Sequence, residues 1–470
     1  MSDRQRGSQK IPTGRVRRTA PLAAMAAQTT GSAVTDILKR RLQGQRGTSV
    51  EFHLRNAERY ATFLSQSKGV LMKAGQILSF VDTAGLVPDE YQAIYQQAFA
   101  SLQADAEPMD YDLTAAVIEA DLGHPPEELF ASFEPVPLAA ASIGQVHAAR
   151  LSDGTEVAVK VQYPGVAEAI RDDLDNTELL ATALRMAKGL VPGLTKIDVR
   201  AVADEVAERI GEELDYTTEL ANQADFCELY RRHPFIRIPA VCPDLSGSRV
   251  LTMELVHGRR WEEAIEAEGE LRNLWGETID RFFYGTIHRW GLFNADPHPG
   301  NYLFHDDGTV TFLDFGCVKR FTPAQQRAFG DIADAVMDND AERLRRLFVD
   351  LGFLYDRDSP TAQEIMEFYR PTFEPMLEKQ PFTFTPEFAA RTVQHIFDPF
   401  GPGSGVNRKF DVPKDFVFVN RIYIGMNSVL GALRATGDWR AMYEEGRTGV
   451  SATELGARDM AWFAERSLAS

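Results

Sequence analysis

The chain has little cysteine and no long apolar run. Cys227, Cys242 and Cys317 are the three cysteines among 470 residues, and their spacing fits neither a metal site nor a disulfide framework. Sparse cysteine of this kind is typical of a reducing compartment. No segment approaches the roughly 18 consecutive apolar residues that would predict a membrane-spanning helix. We therefore expect a cytoplasmic globular protein rather than a disulfide-rich or membrane-spanning one.

Positive charge is scarce beyond the first 50 residues. The formal net charge is −18, and residues 1–50 contain ten Lys/Arg and two Asp/Glu, against 40 and 66 in the remainder. An acidic body offers no broad basic surface to neutralise phosphates, so we predict no nucleic-acid partner. The basic residues 1–48 are predicted to form a partly disordered arm. A helix predicted from about residue 20 to 42 supports a second hypothesis, a peripheral contact with the inner face of a membrane.

The most informative feature present is Asn294-Ala-Asp-Pro-His-Pro-Gly-Asn301, followed by Leu313-Asp-Phe-Gly316. Asp296 and Asn301 are five residues apart, and Asp314 follows Asp296 after 18 residues. Phosphoryl transfer uses one acid to orient the attacking oxygen, and an amide oxygen and a second acid to bind the metal. The order predicts Asp296 as the catalytic acid and Asn301 and Asp314 as ligands of Mg2+.

His298 is an alternative base within the same loop. It lies between two prolines, and we prefer Asp296, whose carboxylate can accept a proton or hold a hydroxyl in line. The sequence contains neither a serine-hydrolase elbow nor an HExxH metalloprotease motif.

A predicted β-hairpin carries the second group of candidate residues. Residues 145–150 and 155–162 alternate as strands around an Asp-Gly turn. In the second strand, Val157, Val159 and Val161 share one face, which leaves Lys160 on the other. The setting Val-Ala-Val-Lys predicts that Lys160 is catalytic and holds the α- and β-phosphates of ATP.

An alanine-rich segment precedes this hairpin, at the position of the phosphate-covering loop of a kinase. Alanine replaces most of the glycines found in such loops, so the segment should be stiffer. The predicted nucleotide-contacting residues of this segment are Ala140, Ala141, Ser142, Ile143 and Gly144.

Acidic residues further along the chain are candidate partners of Lys160. Residues 211–219 are predicted to be helical, which would place Asp215 and Glu219 on one face. We favour Glu219 as the partner of Lys160, with Glu213 as the alternative.

A strand predicted over residues 249–256 ends where a kinase hinge offers backbone groups to adenine. Met253, Glu254 and Val256 are the candidate residues, with Met253 lining the back of the pocket. Met253 is also the kind of residue that fills gaps in an apolar core. The predicted cofactors are ATP and Mg2+.

These motifs together resemble the UbiB or AarF-like family of atypical protein-kinase-like proteins. Lys73-Ala-Gly-Gln76 is similar to the family's KxGQ motif, and Glu213-Leu-Asp215 is similar to its ExD motif. Residues 139–147 resemble its alanine-rich loop, and Pro12-Thr-Gly-Arg15 resembles a motif near the start of many bacterial members. The resemblance covers about residues 12–340.

The resemblance implies an α+β, two-lobed protein-kinase-like fold with an N-terminal helical extension. It implies that Lys73 and Gln76 have a regulatory role and meet Glu213 and Asp215 over the active site. The corresponding domains are the arm at 1–48, the helical extension at 49–130, the N-lobe at 131–256 and the helical C-lobe at 257–470.

The resemblance also implies an activity. It suggests ATP hydrolysis, or phosphate transfer to a small or lipid-related acceptor, in quinone or isoprenoid-lipid metabolism. The expected partners are ATP and a lipid or quinone-like ligand, and a homodimer is compatible with the family. Two alternatives remain open. One is a nucleotide-sensing scaffold with little turnover, and the other is a small-molecule phosphotransferase, a class that lacks the KxGQ helix.

Overall fold

The computed structural model describes residues 109–141, 143–167, 214–354, 360–397, 406, 409–410 and 414–469. The basic arm, the predicted helix at 20–42 and most of the helical extension lie outside these residues. Lys73, Gln76, Ser142 and Glu213 lie outside them as well.

The described residues form two compact units. The first contains those up to Glu128, those from Phe133 to His147 and those from Lys160 to Asp215. The second contains Leu129–Ser132, Ala148–Val159 and the described residues from Tyr216 onward.

The first described helix lies in the first compact unit. Helix α1 spans Tyr111–Leu122 and ends at Gly123, whose φ is +83°. The Gly123 N–H donates to the Glu119 carbonyl at 2.8 Å, which closes the last turn. Glycine suits this position because a Cβ disfavours the left-handed conformation.

A five-stranded sheet follows α1 and a short helix, α2 (Pro126–Leu129). Its strand order is β1-β3-β4-β6, with β2 pairing against β3. The strands are β1 (Ser132–Phe133), β2 (Ala139–Ala140), β3 (Gly144–Arg150), β4 (Glu156–Gln162) and β6 (Val250–Glu254). Strands β3 and β4 confirm the predicted hairpin, and Gly154 in its turn has a φ of +90°.

Helix α3 begins later than the sequence pattern predicts. It spans Tyr216–Leu229, and Asp215 lies just before its first residue. The Tyr216 N–H donates to the Ser248 carbonyl at 3.0 Å, a bond that is not part of a helix. The prediction that Asp215 and Glu219 share one helical face was therefore wrong.

The second unit is built around a long helix, α5 (Gly269–Trp290). Its buried face contacts strand β9 (Val310–Phe312), where the rings of Phe282 and Phe312 stack with centroids 3.7 Å apart. The short elements nearby are β5 (Ile236–Arg237), α4 (Trp261–Ile265), β7 (Leu292–Asn294), β8 (Tyr302–Phe304) and β10 (Val318–Arg320). Strand β9 pairs parallel with β5 and antiparallel with β8. This aromatic core supports the loops on either side of β8 and β9.

Helices dominate the described residues from Pro323 onward, as predicted. Buried side chains such as Leu344, Phe348 and Ile365 form a separate apolar cluster. The helices are α6 (Pro323–Met337), α7 (Ala341–Asp350), α8 (Ala362–Tyr369), α9 (Glu374–Leu377), α10 (Pro386–Phe397), α11 (Lys414–Leu433), α12 (Trp439–Thr448) and α13 (Glu454–Ala469), with strands β11 (Phe382–Thr383) and β12 (Thr436–Gly437) between them. Within the described residues, no helix combines the length and apolar character needed to cross a bilayer.

Candidate active site

Strand pairing brings the two predicted catalytic segments together. Strand β7 pairs antiparallel with β10, and Asn294 lies opposite Val318. One residue further, the Ala295 N–H donates to the Cys317 carbonyl at 2.8 Å. The loop containing Asp296 and the segment containing Asp314 therefore leave the same two-stranded ribbon.

Asn294 joins these segments through its side chain. Its Oδ1 accepts from the Asp296 N–H at 2.9 Å, and its Nδ2 donates to the Asp314 carbonyl at 2.5 Å. Asn294 is only 4% exposed. Burial strengthens the requirement that both ends of the amide be paired. The sequence places Asn294 at the start of the motif but gives it no role, because its burial and its partner Asp314 are set by the tertiary structure.

The side chains of Asp296 and Asn301 contact each other directly. The Asn301 Nδ2 donates to Asp296 Oδ2 at 3.1 Å and more weakly to the Asp296 carbonyl at 3.4 Å. The Asn301 carbonyl in turn accepts from the Leu313 N–H at 3.0 Å, one residue before Asp314. The spacing of five residues thus closes a loop whose acid and amide are neighbours.

His298 caps the short helix Pro299–Asn301. Its Nδ1 accepts from the Gly300 N–H at 3.1 Å, so in the neutral ring the proton is on Nε2. Nδ1 of His298 is therefore used to cap this short helix. This is consistent with the preference for Asp296 as the catalytic acid.

The Asp-Phe-Gly segment is held from two sides. Asp314 Oδ1 accepts from the Gly316 N–H at 2.9 Å, which folds the segment back on itself. Asn222 on α3 donates to the Phe315 carbonyl at 3.0 Å, and the ring of Phe226 lies 4.8 Å from that of Phe315. Helix α3 therefore contacts the residue next to the predicted metal ligand.

Two further residues, Gly425 and Tyr302, lie close to the loop that contains Asp296. Gly425 on α11 packs against Pro297 so closely that an added Cβ would lie 2.3 Å from the proline Cγ. Tyr302 is buried, and its hydroxyl has no hydrogen-bond partner among the described residues. Burial and the negative charge of Asp296 raise the pKa of Tyr302. Sequence reasoning missed both residues, because neither belongs to a chemical motif.

The donor atoms at these loops fit a magnesium ion. Mg2+ prefers oxygen ligands and is usually held by one or two carboxylates together with phosphate oxygens and water. Asn301 uses its Nδ2 to donate to Asp296, and its Oδ1 receives no hydrogen bond from the described residues. In the described part of the chain, no cluster of three or more His, Cys, Asp or Glu side chains is arranged for a metal. A site of one amide oxygen and the Asp314 carboxylate, completed by a nucleotide, is thus chemically consistent.

The alanine-rich segment is a β-hairpin in the first unit. Ala139 and Ala140 on β2 pair with Val146 and Gln145 on β3. The Ala141 N–H donates to the Gly144 carbonyl at 2.8 Å, which closes the turn. A Cβ on Gly144 would lie 2.2 Å from the Val161 carbonyl oxygen of β4. Gly144 is therefore required because the backbones of β3 and β4 approach closely there. This requirement holds whether or not Gly144 also contacts phosphate.

Gln145 and His147 anchor this hairpin to the start of α1. The Met109 N–H donates to Gln145 Oε1 at 2.8 Å, and Gln145 Nε2 lies 2.8 Å from His147 Nε2. His147 Nδ1 lies 2.7 Å from the Glu134 carbonyl, so Nδ1 carries the proton and Nε2 accepts from Gln145. Burial lowers the pKa of His147. Both residues lie in the segment that resembles the alanine-rich loop, but the sequence alone assigns them no role.

Lys160 and Glu219 have the burial expected of a strand lysine and an enclosed acid. Lys160 is half-buried on β4, beside the fully buried Val159 and Val161. Glu219 is 4% exposed in the first turn of α3. The pairing of Lys160 with Glu219 rather than Glu213 stays a prediction, and so does the meeting of Asp215 with the KxGQ residues.

The predicted hinge residues end β6. Met253 is buried, and its sulfur lies 3.5 Å from Gln223 Nε2. The Glu254 N–H donates to the Ala240 carbonyl at 2.7 Å, and the Glu254 carboxylate pairs with Arg237 at 2.5 Å. Val256 is also buried. An adenine contact at Glu254 would therefore use its carbonyl rather than its N–H.

Comparison with known proteins decides the family. A family model for the ABC1 atypical kinase-like domain matches residues 101–348, more than half of the chain. The chain belongs to the ABC1 atypical kinase-like family. This confirms the predicted UbiB/AarF-like membership, since an ABC1 relative from Arabidopsis thaliana is named as a chloroplastic aarF domain-containing protein kinase, At1g71810.

The curated ABC1 relatives are longer than the matched region. The mitochondrial atypical kinase COQ8B of Rattus norvegicus is 34% identical over 360 residues, which are 75% of this chain and 66% of that protein. At1g71810 is 35% identical over 281 residues, covering 59% of this chain and 38% of that protein. The chain thus spans between about two fifths and two thirds of the length of these relatives.

A solved structure supports the same fold. The complex of Rv3197 with erythromycin, from Mycobacterium tuberculosis, matches with a TM-score of 0.59 and 31% identity, over 83% of this chain and 95% of that chain. Together with the ABC1 match, this shows the predicted α+β protein-kinase-like fold.

Proposed function

We propose that this ABC1 protein binds ATP with Mg2+ and hydrolyses it, or transfers its terminal phosphate to a small or lipid-related acceptor. The observation that carries the proposal is the arrangement at Asn294, whose buried side chain bonds to both Asp296 and Asp314. Asn301 contacts Asp296 in the same loop. One set of hydrogen bonds thus joins the proposed acid to the two proposed metal ligands.

The roles follow from the chemistry of phosphoryl transfer. The bond from the terminal phosphorus to the bridging oxygen breaks, a bond from phosphorus to the acceptor oxygen forms, and ADP leaves. Asp296 orients the acceptor hydroxyl or water and takes up its proton. Asp314 and the Asn301 amide oxygen would hold Mg2+, which neutralises charge on the phosphates. Lys160 would hold the α- and β-phosphates, with Glu219 as its partner.

The proposed phosphate acceptor is water or a small or lipid-related molecule. The family resemblance supports a lipid or quinone-like molecule, and the basic residues 1–50 support a peripheral contact with anionic lipid. The apolar face of the helix predicted at about residues 20–42 consists mainly of alanine, so it would bind a membrane weakly. Lipid should therefore modulate the activity of the protein rather than anchor it.

The test is Mg2+-dependent ATP turnover by the purified full chain. It is measured with and without anionic liposomes and a quinone-like phenol, beside Asp296→Asn, Lys160→Ala and Asp314→Asn. Loss of turnover in all three variants, and stimulation by lipid or phenol, are expected. Nucleotide binding that is unchanged by Asp314→Asn would contradict the metal assignment.

The nucleotide-sensing scaffold has its own outcome in the same experiment. No turnover, together with ATP binding that still requires Asp314, would favour it over the enzyme. Liposomes that neither bind the protein nor change its rate would remove the membrane part of the proposal.

A further inference from the structure

The last helix of the described chain donates hydrogen bonds to the end of α3. Trp462 Nε1 donates to the Arg231 carbonyl at 3.1 Å, and Arg466 Nη1 donates to the Leu229 carbonyl at 2.8 Å. Leu229 is the last residue of α3. Carbonyls at a helix C-terminus have no partner within the helix, and a cation there also interacts favourably with the helix dipole. Helix α13 thus caps the end of α3, whose own last turn contains no basic residue.

Helix α13 is itself held by buried charges. Asp459 is 1% exposed and pairs with Arg289 through both carboxylate oxygens and with His233 Nε2 at 3.0 Å. Burial by itself raises the pKa of Asp459, but these partners outweigh it and lower the pKa to about 2. Helix α13, which caps α3, is therefore held in place by buried ion pairs within the second unit rather than by contacts at a solvated surface.

The other end of this connection is the metal loop. The ring of Trp462 stacks on Tyr230 with centroids 6.2 Å apart, Tyr230 stacks on Phe226 at 6.5 Å, and Phe226 contacts Phe315 at 4.8 Å. Asn222 on the same helix donates to the Phe315 carbonyl. Packed rings and a hydrogen bond therefore link α13 through α3 to the residue that follows Asp314.

We propose that Trp462 and Arg466 are positioning residues for the metal loop, acting through α3 on Phe315 and Asp314. The inference rests on the proposed function, because Asp314 needs to be placed accurately only if it binds a metal. A site holds its ligands accurately when their supporting residues are locked by packing and hydrogen bonds. Loosening the cap should therefore weaken metal-dependent nucleotide binding more than binding without metal.

The experiment uses the full chain with Trp462→Phe and Arg466→Met, singly and together. Phenylalanine keeps a ring but loses the N–H donor, and methionine keeps an apolar stem but loses the charge. The affinity of a fluorescent ATP analogue is measured in Mg2+ and in EDTA. We expect the Mg2+-dependent gain in affinity to fall about tenfold in the double variant, with binding in EDTA unchanged within about twofold.

Two controls separate positioning from a general loss of stability. Glu465→Gln changes an exposed residue on the same helix and should leave the Mg2+-dependent gain unchanged. Ile365→Val trims a fully buried residue in the separate apolar cluster and supplies a destabilised protein for comparison. An equal fall in the Mg2+-dependent gain in Ile365→Val and the double variant, at matched stability, would overturn the proposal.

Hydrogen exchange distinguishes the failure of this inference from the failure of the proposed function. Faster amide exchange in peptides covering residues 222–231 and 311–318 of the double variant, but not of Glu465→Gln, supports the connection even if the wild-type protein binds no nucleotide. Unchanged exchange at residues 311–318 would reject the connection, whatever the nucleotide results.

Discussion

The alanine-rich segment and the catalytic and metal loops were both predicted to handle phosphate, yet they are built differently. In the first, Gln145 and His147 are enclosed, at 1% and 0% exposed, and their side chains bond to the backbone of Met109 and Glu134. In the second, Asp296, Asn301 and Asp314 are half-buried, and one enclosed residue, Asn294, ties them together. The conformation of the alanine-rich segment is thus fixed by packing. The positions of Asp296, Asn301 and Asp314 depend instead on a few hydrogen bonds.

The largest effect on stability is expected at Gly144. Gly144→Ala places a Cβ 2.2 Å from the Val161 carbonyl, so the strands must separate. We expect the free energy of unfolding to fall by about 3 kcal/mol or more, measured by urea denaturation. Gly446→Ala is the matched control: its added Cβ meets no atom within 4 Å, so this exposed helical position should gain about 0.5–1 kcal/mol. Equal stability of the two variants would refute the packing account.

Asn294→Leu should have the next largest effect. The change leaves the Asp296 N–H and the Asp314 carbonyl without the partner that each has now. We expect a loss of about 2 kcal/mol in the free energy of unfolding, together with loss of ATP turnover. Gln363→Leu, which removes an exposed hydrogen bond to Glu367, should cost less than about 0.5 kcal/mol. Full turnover in Asn294→Leu would show that the two loops are positioned by other means.

Gly425→Ala tests the catalytic loop from its other side. The added Cβ would lie 2.3 Å from a ring carbon of Pro297, which cannot move without its backbone. We expect turnover to fall by about tenfold, with about 1–2 kcal/mol lost from the free energy of unfolding. Gly330→Ala is the control, because its Cβ would meet only His288, at 4.0 Å. Normal turnover with Gly425→Ala would mean that the loop tolerates displacement.

The smallest effect concerns pH and the alanine-rich segment. Because burial lowers the pKa of His147 from 6.5, the unfolded chain takes up a proton before the folded one. The stabilisation from this neutral histidine is present above pH 6.5 and is lost as the pH falls below it. Each unit of pKa difference corresponds to about 1.4 kcal/mol. Urea unfolding at pH 7.5 and 5.5 should show a smaller loss on acidification in His147→Gln than in the wild type.

His233, His288 and His305 contribute to acid sensitivity in both proteins, since burial lowers the pKa of each. Only the difference between wild type and His147→Gln therefore reports on His147. An identical loss on acidification in the two proteins would show that His147 is not part of the response.

Several elements could be predicted because their signals are local. The alternation of valines around Lys160 specified a strand, and the helix ending at Gly123 carried its own stop signal. The five-residue spacing of Asp296 and Asn301 specified two side chains that meet in one loop. The start of α3 was missed by about five residues, because a contact with Ser248 decides where its first turn begins.

The sequence by itself determined the order of the predicted catalytic groups, the strands near them, and the family resemblance. Only the tertiary structure decided what Asn294, Gly144, Gly425 and Trp462 do. Their roles depend on Asp314, Val161, Pro297 and Arg231 respectively, and all four partners are at least 17 residues away in the sequence. Periodicity and motif spacing report on neighbours along the chain, whereas close approach and hydrogen-bond partners are fixed when distant segments pack.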